Sequence, residues 1–226
     1  MTKKQFNEIK EQLKVWREER HLTYKNQRKG FLGNVFEEIS EYFRAKDDLE
    51  RIDALCDIAV FCFNVNNIKY SNYECFVRSN KVEFDDSEII LKINSIIIGR
   101  VKFNTDFVRI ALDTLIALLY KKCEELKFDF YKCMEETIKE ISSRTGKYDE
   151  SIGKFVKDEG AYSIDEAIKE AVKKFEVLNN TTNCALLKEN NNFWYIKCED
   201  GYKGRYEEIA IKKWHKADYE SCRVEK

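Results

Sequence analysis

The chain has 226 residues and a formal net charge of −1, with 43% hydrophobic, 13% aromatic and 36% charged residues. This length fits one large domain or one domain with an appendage, and the composition is sufficient for a buried core. The balanced charge provides no global basic field for nucleic acid, the apolar runs are too short to span a membrane, and the charged N-terminus lacks the apolar segment of a signal peptide, so we expect a cytoplasmic protein.

The first third of the chain predicts helices, because apolar residues recur every three to four positions. One such stripe covers residues 3–20, and a basic connector, HLTYKNQRKG, follows at 21–30. We then predict helices over about 31–46 and 49–68. The linking turn, KDD, is so short that the two helices must run antiparallel as a hairpin.

Residues 70–85 are polar and poorly periodic, which predicts a loop. Buried helices are predicted over 87–101 and 105–126. A further helix over 129–144 is capped by Asp129 and ends at Gly146, which makes the chain all-helical up to residue 160.

The pattern changes after residue 160. A helix capped by Ser163 is followed by two or three short strands between 183 and 214, which the turn sequences ENNN and EDGYKG separate. We therefore predict a mainly α protein. Its parts are a helical bundle over 1–160, a small α+β insertion over 161–213, and a tail over 214–226 that returns to the helical domain.

Acidic side chains interrupt the apolar faces of the two hairpin helices. On a helical wheel, Glu38 shares the sector of the apolar residues, Glu41 lies about 60° to one side, and Glu37 lies near the rim. Asp53 and Asp57 fall within one narrow sector of the second helix. An antiparallel hairpin brings these acids together, where repulsion raises their pKa values unless a hard cation such as Mg²⁺ or Mn²⁺ binds between them.

Other interpretations of these acids remain open. In a solvated acidic face, Arg44 and Lys46 would be their surface ion-pair partners. A ferritin-like di-iron site would need Glu-x-x-His pairs, and no histidine lies in either helix. Asn64, two turns after Asp57, could bind sugar or base, or could make a hydrogen bond between helices.

The segments EEISE and DALCDIAVF, which begin at Glu37 and Asp53, resemble the EExxE…ExxD signature of the all-α nucleoside triphosphate pyrophosphohydrolases. This superfamily includes MazG, phage MazG-like proteins and the dimeric dUTPases. The resemblance implies an all-α bundle that uses Mg²⁺ to convert a nucleoside triphosphate and water into the monophosphate and pyrophosphate. It covers residues 20–69 well and 129–159 moderately, and it does not extend to the insertion.

The resemblance implies that Glu38, Glu41 and Asp57 are metal ligands. The signature's glutamate, expected three residues before Asp57, is Ala54 here. Asp53 stands four residues before Asp57, on the same side of the helix, and could act as the fourth ligand with a shorter reach. Glu50 and Asp53 also match the ExxD pattern and are the second candidate for this ligand pair.

The remaining site residues follow from this interpretation. Glu37 or Asp53 would orient or deprotonate the attacking water, and Glu38 would hold the metal at the reacting phosphate. Glu136 or Glu140 would add a carboxylate near the substrate. The cations expected to contact phosphates are Lys25, Arg28, Arg144, Lys147 and Lys154, with Lys157 as a further candidate. Arg144 and Lys147 also suit a helix C-terminus, where cations interact favourably with the helix dipole.

Several expectations concern partners and assembly. A helix hairpin of this kind usually completes its core against a second copy, so we expect at least a dimer. Trp16 and Phe31 could stack on a base, although core packing is the more common role. The insertion mixes aromatic, basic and acidic residues, which favours a cap or dimer contact over nucleic-acid binding. The eight cysteines contain no CxxC pair, so we expect reduced thiols packed as small hydrophobic groups.

A different class of function also fits these observations. The chain could be a non-catalytic helical dimerisation or regulatory module whose acids bind a metal for structure. Incubation with nucleoside triphosphates and Mg²⁺ distinguishes the two, because the module releases no monophosphate.

Overall fold

The computed structural model of the protein describes residues 1–79, 86–101, 105–149, 151, 154–175, 182–200 and 205–224. The chain divides into two compact units. Unit 1 comprises residues 1–138, 148–154 and 217–226, and unit 2 comprises residues 139–147 and 155–216. The end of the tail thus belongs to the helical unit, whereas residues 214–216 belong to unit 2. No helix in the described part of the chain is long and apolar enough to cross a membrane.

Unit 1 is helical, and its last helix continues into unit 2. The helices are α1 (Lys3–Glu19), α2 (Tyr24–Arg44), α3 (Asp48–Val65), α4 (Tyr70–Arg78), α5 (Asp86–Val101), α6 (Thr105–Glu125) and α7 (Phe130–Ser143). A short 3-10 turn, Glu220–Cys222, lies in the tail. The mainly α prediction is therefore confirmed.

The predicted connector between the first two helices is wrong, because most of it is helical. Thr23 and Asn26 form a capping box in which the Asn26 amide donates to the Thr23 hydroxyl at 3.3 Å and the Thr23 amide donates to the Asn26 side chain at 2.7 Å. This reciprocal cap satisfies the first free amides and starts α2 at Tyr24. Lys25 and Arg28 consequently lie on the first turns of a helix.

The predicted hairpin is confirmed. Helix α2 ends at Arg44, and α3 begins after Asp47, whose side chain accepts a hydrogen bond from the Glu50 amide at 2.9 Å. The two helices pack against each other, and the turn at 45–47 makes them antiparallel. Helix α3 is buried around most of its circumference, which explains its near-continuous apolar sequence.

The predicted loop after α3 is wrong for residues 70–78, which form α4, while residues 80–85 lie outside the described part. The start of α4 is held by Asp113 of α6, a fully buried carboxylate. Its Oδ1 accepts from the Lys69 amide at 2.9 Å, and its Oδ2 accepts from the Asn72 side chain at 2.6 Å. This cap comes from a distant part of the chain, so the local sequence contains no signal for it.

Helices α5 and α6 were both predicted, but α5 is not a fully buried helix. Ile89, Ile93 and Ile96 are buried, whereas Leu91 and Ile98 are 53% and 43% exposed. The helix thus has one buried face, and it also carries apolar residues on its exposed face. By contrast, residues 111–119 of α6 are all buried and form the centre of unit 1.

The cap at Asp129 is confirmed, because its side chain accepts from the amides of Tyr131 and Lys132 at 3.0 and 3.2 Å. The helix α7 ends at Ser143 rather than at Gly146, which begins a strand. Strands β1 (Gly146–Asp149) and β2 (Lys154–Lys157) form a two-stranded sheet. The prediction that the chain is all-helical to residue 160 is therefore wrong.

Unit 2 contains a four-stranded sheet covered by α8 (Ile164–Phe175). Strands β3 (Gly160–Ala161), β4 (Thr182–Glu189), β5 (Phe193–Asp200) and β6 (Arg205–Lys213) lie in the order β3-β6-β5-β4, with β3 parallel to β6 and the others antiparallel. The core of this unit contains Ala167, Ala171, Ile196, Ile209 and Ile211. The predicted strands and the Ser163 cap, which accepts from the Glu166 amide at 3.3 Å, are confirmed.

The cysteine expectation holds in part. Cys56, Cys62, Cys123, Cys133 and Cys222 are buried free thiols, and Cys75 is an exposed one. Cys184 and Cys198 instead form a disulfide, which corrects the expectation of reduced thiols at these two positions. They lie directly opposite each other on the antiparallel strands β4 and β5, so the strand register brings their side chains together.

Candidate functional site

Glu38 lies among the residues with which α2 packs into unit 1. Val35, Ile39 and Tyr42 on the same side of the helix are buried, and Glu38 is half-buried beside them. The helical period requires this, since residues three and four apart share one face. A carboxylate placed there loses part of its hydration, which disfavours its charged form.

The electrostatic surroundings of Glu38 contain the other predicted acids. Burial, followed by the nearby charges of Asp57, Glu41, Asp53 and Glu37, raises the pKa of Glu38 to about 8. Asp57 is half-buried, whereas the other three acids are exposed. The other four predicted acids therefore all lie close enough to Glu38 to disfavour its charged form.

Among the described residues, no lysine or arginine pairs with the three glutamates of this group. In the residues that the structure describes, Glu37, Glu38 and Glu41 form no ion pair with a lysine or arginine. Arg44, a candidate partner, instead donates its Nε to the backbone oxygen of Ser40 at 3.1 Å. The surface ion pairs expected for a solvated acidic face are therefore absent at these three glutamates in the described residues.

Asp53 is positioned by the C-terminal tail. The hydroxyl of Tyr219 donates to Asp53 Oδ1 at 2.8 Å and lies 3.0 Å from the hydroxyl of Thr137 on α7. Tyr219 is 7% exposed. Burial and the proximity of Cys56, Asp53 and Asp57 raise its pKa well above the ordinary value, so the phenol stays protonated and can donate.

Tyr219 and Thr137 are residues of this site that sequence reasoning missed. Tyr219 lies 166 positions from Asp53 along the chain. The tail was expected to return to the helical domain, but nothing in its sequence indicates which residue reaches the acids. The contact arises because the tail packs beside α7, where the Asp129 amide donates to the Cys222 oxygen at 2.9 Å.

The predicted substrate residues of unit 1 have different environments. Asn64 is 1% exposed, and its Oδ1 accepts from Arg17 Nη1 at 2.5 Å. Of its two possible roles, Asn64 therefore has the second, a hydrogen bond between helices. Arg28 donates its Nε to the Val65 oxygen at 2.8 Å, and Lys25 is exposed. Glu136 accepts from the Asp218 amide at 3.2 Å and so holds the tail.

The aromatic candidates for base stacking differ in exposure. Trp16 is half-buried, and the Arg20 guanidinium lies 4.9 Å from its ring. Phe31 is 2% exposed, so it has the role of a core residue rather than of an exposed stacking group.

The other predicted phosphate contacts belong to unit 2 or lie outside the described side chains. The Arg144 guanidinium contacts both Glu140 and the hydroxyl of Tyr162, and that hydroxyl donates to Glu140 at 2.9 Å. Lys147 is exposed on β1. The side chain of Lys154 is outside the described part. Glu140 and Arg144 thus form a local network within unit 2.

The donor chemistry of the acid cluster suits a hard cation, because carboxylate oxygens are the ligands that Mg²⁺ prefers. As their side chains stand, no group of three or more histidine, cysteine, aspartate or glutamate residues in the described ranges is arranged so that it could hold a metal ion. We therefore identify donors by their chemistry and assign no coordination geometry.

Comparisons with protein-family models, with curated proteins and with solved structures find no match to this chain.

Proposed function

We propose that this chain is a Mg²⁺-dependent nucleoside triphosphate pyrophosphohydrolase that converts a nucleoside triphosphate and water into the monophosphate and pyrophosphate. The observation that carries the proposal is the raised pKa of Glu38, which results from its burial and from four further carboxylates around it. Such a concentration of acids on packed helices is unfavourable for stability and is typical of functional sites. The resemblance of these segments to the pyrophosphohydrolase signature supports the same function.

The acids have separate roles in this proposal. Glu38, Glu41, Asp57 and Asp53 are the oxygen donors for the cation. When bound, Mg²⁺ would offset phosphate charge and lower the pKa of a water molecule. Glu37 is exposed and carries no ion pair among the described residues, so its carboxylate is available to accept a proton from water.

Tyr219 is a positioning residue in the proposed site. Its hydroxyl donates to Asp53, and Thr137 supports that hydroxyl from α7. Because Asp53 is shorter than the glutamate of the signature and is exposed, a fixed hydrogen bond limits the rotamers that it can adopt. Lys25 and Arg28, on the first turns of α2, are the cations of unit 1 proposed to contact the phosphates.

The test of the activity is incubation of the full chain with each common deoxyribonucleoside and ribonucleoside triphosphate, with Mg²⁺, while monophosphate and pyrophosphate are measured. We expect both products in equal amounts from at least one substrate. Glu38→Gln should abolish the reaction, since it removes the central charge at nearly constant volume. Glu18→Gln on the exposed face of α1 is the matched control and should keep full activity. Release of orthophosphate alone, or no product with any nucleotide, would contradict the proposal.

Metal binding has a readout that is independent of activity. With a pKa of about 8, Glu38 is mostly protonated at neutral pH, and a carboxyl must lose its proton to coordinate a cation. Titration calorimetry with Mg²⁺ in two buffers of different ionisation enthalpy should therefore show release of about one proton per chain. Glu38→Gln should release none. If the chain binds Mg²⁺ with this proton release but hydrolyses no nucleotide, it is the non-catalytic module with a structural metal.

We further propose that the protein forms at least a dimer. Phe36 and Phe43 on α2 are 51% and 58% exposed, and a second copy of the chain could cover these apolar side chains. Light scattering of the purified chain measures its mass directly, and a monomer at every concentration would contradict this assembly.

A further inference from the structure

Four helices of unit 1 surround a pocket with a volume of about 340 Å³. Its apolar walls come from α2, α3, α5 and α6. These wall residues are Phe31, Val65, Ile96, Val108 and Leu112. Pockets of this size hold small organic ligands rather than single ions.

Three arginines line the same pocket: Arg28, Arg100 and Arg109. No aspartate or glutamate is among the residues described as lining it. The chain as a whole has a formal net charge of −1, so this concentration of positive charge is a local feature. Guanidinium groups bind carboxylates and phosphates through two parallel hydrogen bonds, which makes an anion the matching ligand.

Two of the three arginines are held in place by hydrogen bonds to backbone oxygens. Arg28 Nε donates to the Val65 oxygen at 2.8 Å, and Arg100 Nη2 donates to the Arg28 oxygen at 3.0 Å. Among the described residues, the other nitrogens of these two guanidinium groups form no hydrogen bond and can donate to a ligand. The two bonds to the backbone also reduce the side-chain entropy that binding would otherwise remove.

Arg109 lines the pocket and is partly paired on its other side. Its Nη2 forms an ion pair with Asp106 at 2.9 Å, on the exposed side of α6. Its Nε is buried and has no hydrogen-bond partner in the described structure. This nitrogen is inaccessible to water, so the part of Arg109 that lines the pocket is the rest of its side chain.

We propose that this pocket binds a small organic anion, with an apolar body against the five wall residues and a carboxylate or phosphate group on the arginines. Apolar burial and charged hydrogen bonds both contribute, so neither an inorganic anion nor a neutral apolar molecule is the ligand. Apart from Arg28, none of these residues belongs to the proposed hydrolytic site. The binding is therefore tested without nucleotide and with the divalent cations chelated.

The probes are phenyl phosphate and octanoate, titrated calorimetrically against the full chain, with inorganic phosphate as a third arm. We expect saturable binding of at least one organic anion, at one site per chain, and binding of inorganic phosphate at least about tenfold weaker. Binding of phenyl phosphate alone identifies a phosphate ligand, and binding of octanoate alone identifies a carboxylate.

Two kinds of variant test the pocket. Arg100→Gln and Arg109→Gln should each weaken binding by about tenfold or more, because each removes charged hydrogen bonds. Val108→Phe keeps all three arginines, fills the apolar space and should abolish binding. Arg44→Gln removes one exposed charge from α2 and should leave the affinity unchanged. Far-UV circular dichroism verifies that each variant is folded.

Three results would overturn the proposal. The first is no saturable binding of either organic anion. The second is equal affinity for inorganic phosphate, which would remove the role of the apolar walls. The third is an equal loss of affinity in Arg44→Gln and Arg109→Gln, which would mean nonspecific attraction to a positive surface.

Discussion

Glu38→Gln should change how the stability of the metal-free protein depends on pH. In the folded chain, burial and the neighbouring acids raise the pKa of Glu38 from its ordinary value of 4.5 to about 8. Between these two pH values the folded state binds more protons at this carboxyl than the unfolded state does. The free energy of unfolding therefore falls as the pH rises through this window, and it is highest, for this group, while the carboxyl is protonated.

The magnitude follows from the same pKa difference. At 1.36 kcal/mol per pKa unit, the rise from 4.5 to about 8 would change the free energy of unfolding by about 5 kcal/mol if Glu38 were fully buried. Glu38 is half-buried and its partners are mostly exposed, so solvent screening reduces the effect to about 2 kcal/mol. The glutamine side chain of the variant has no charge at any pH. The variant should match the parent protein at low pH and exceed its stability by about 2 kcal/mol near pH 9.

The assay is urea unfolding, followed by the helical circular dichroism signal, in a chelating buffer at several values between about pH 5 and pH 9. Glu18→Gln serves as the control, because it removes an exposed carboxylate of the same helical unit and should retain the pH dependence of the parent. If Glu38→Gln loses stability with rising pH as steeply as the parent does, burial and the neighbouring acids do not raise the pKa of Glu38 as the hairpin requires.

Three further predictions concern contacts within single units. Tyr219→Phe removes the phenol hydroxyl that joins the tail to the acid cluster, and should lower the free energy of unfolding by about 1 kcal/mol in a urea titration. Asn64→Ala removes the shortest hydrogen bond of the buried Arg17 guanidinium, which keeps only longer bonds to the Phe63 oxygen and the Tyr24 hydroxyl, and should lower it by about 2 kcal/mol in the same assay. Reduction of the Cys184–Cys198 disulfide should destabilise unit 2 by about 2 kcal/mol, measured by hydrogen exchange of the strand amides.

Matched controls accompany these experiments. Tyr206→Phe alters a tyrosine that is 70% exposed, and Asn67→Ala alters an exposed asparagine just after α3. Both should change stability by less than about 0.5 kcal/mol. If Tyr219→Phe or Asn64→Ala changes the free energy of unfolding as little as its control does, the corresponding hydrogen bond contributes nothing to the stability of the folded state. Unchanged exchange in β4 and β5 after reduction would show the same for the disulfide.

Local sequence was sufficient for the elements with a strong period or a clear cap. The hairpin of α2 and α3, the cap at Asp129 and the strands of unit 2 all follow from patterns within about twenty residues. The same patterns placed Glu38 inside an apolar face, because the helical period depends on nothing outside the helix. Prediction failed for α4 because its stabilising group is remote: the cap is Asp113 of another helix.

The sequence by itself determined that the protein is mainly helical, that its second unit mixes a helix with strands, and that five acids face one another across a hairpin. The tertiary structure alone decided which groups surround those acids. Tyr219 reaches Asp53 because the tail packs beside α7, and Asn64 is occupied by Arg17 because α1 packs against α3. It also decided that three arginines share one apolar pocket. The physical reason is that helix period and capping act over a few residues, whereas burial and side-chain contact depend on elements that are distant in the chain.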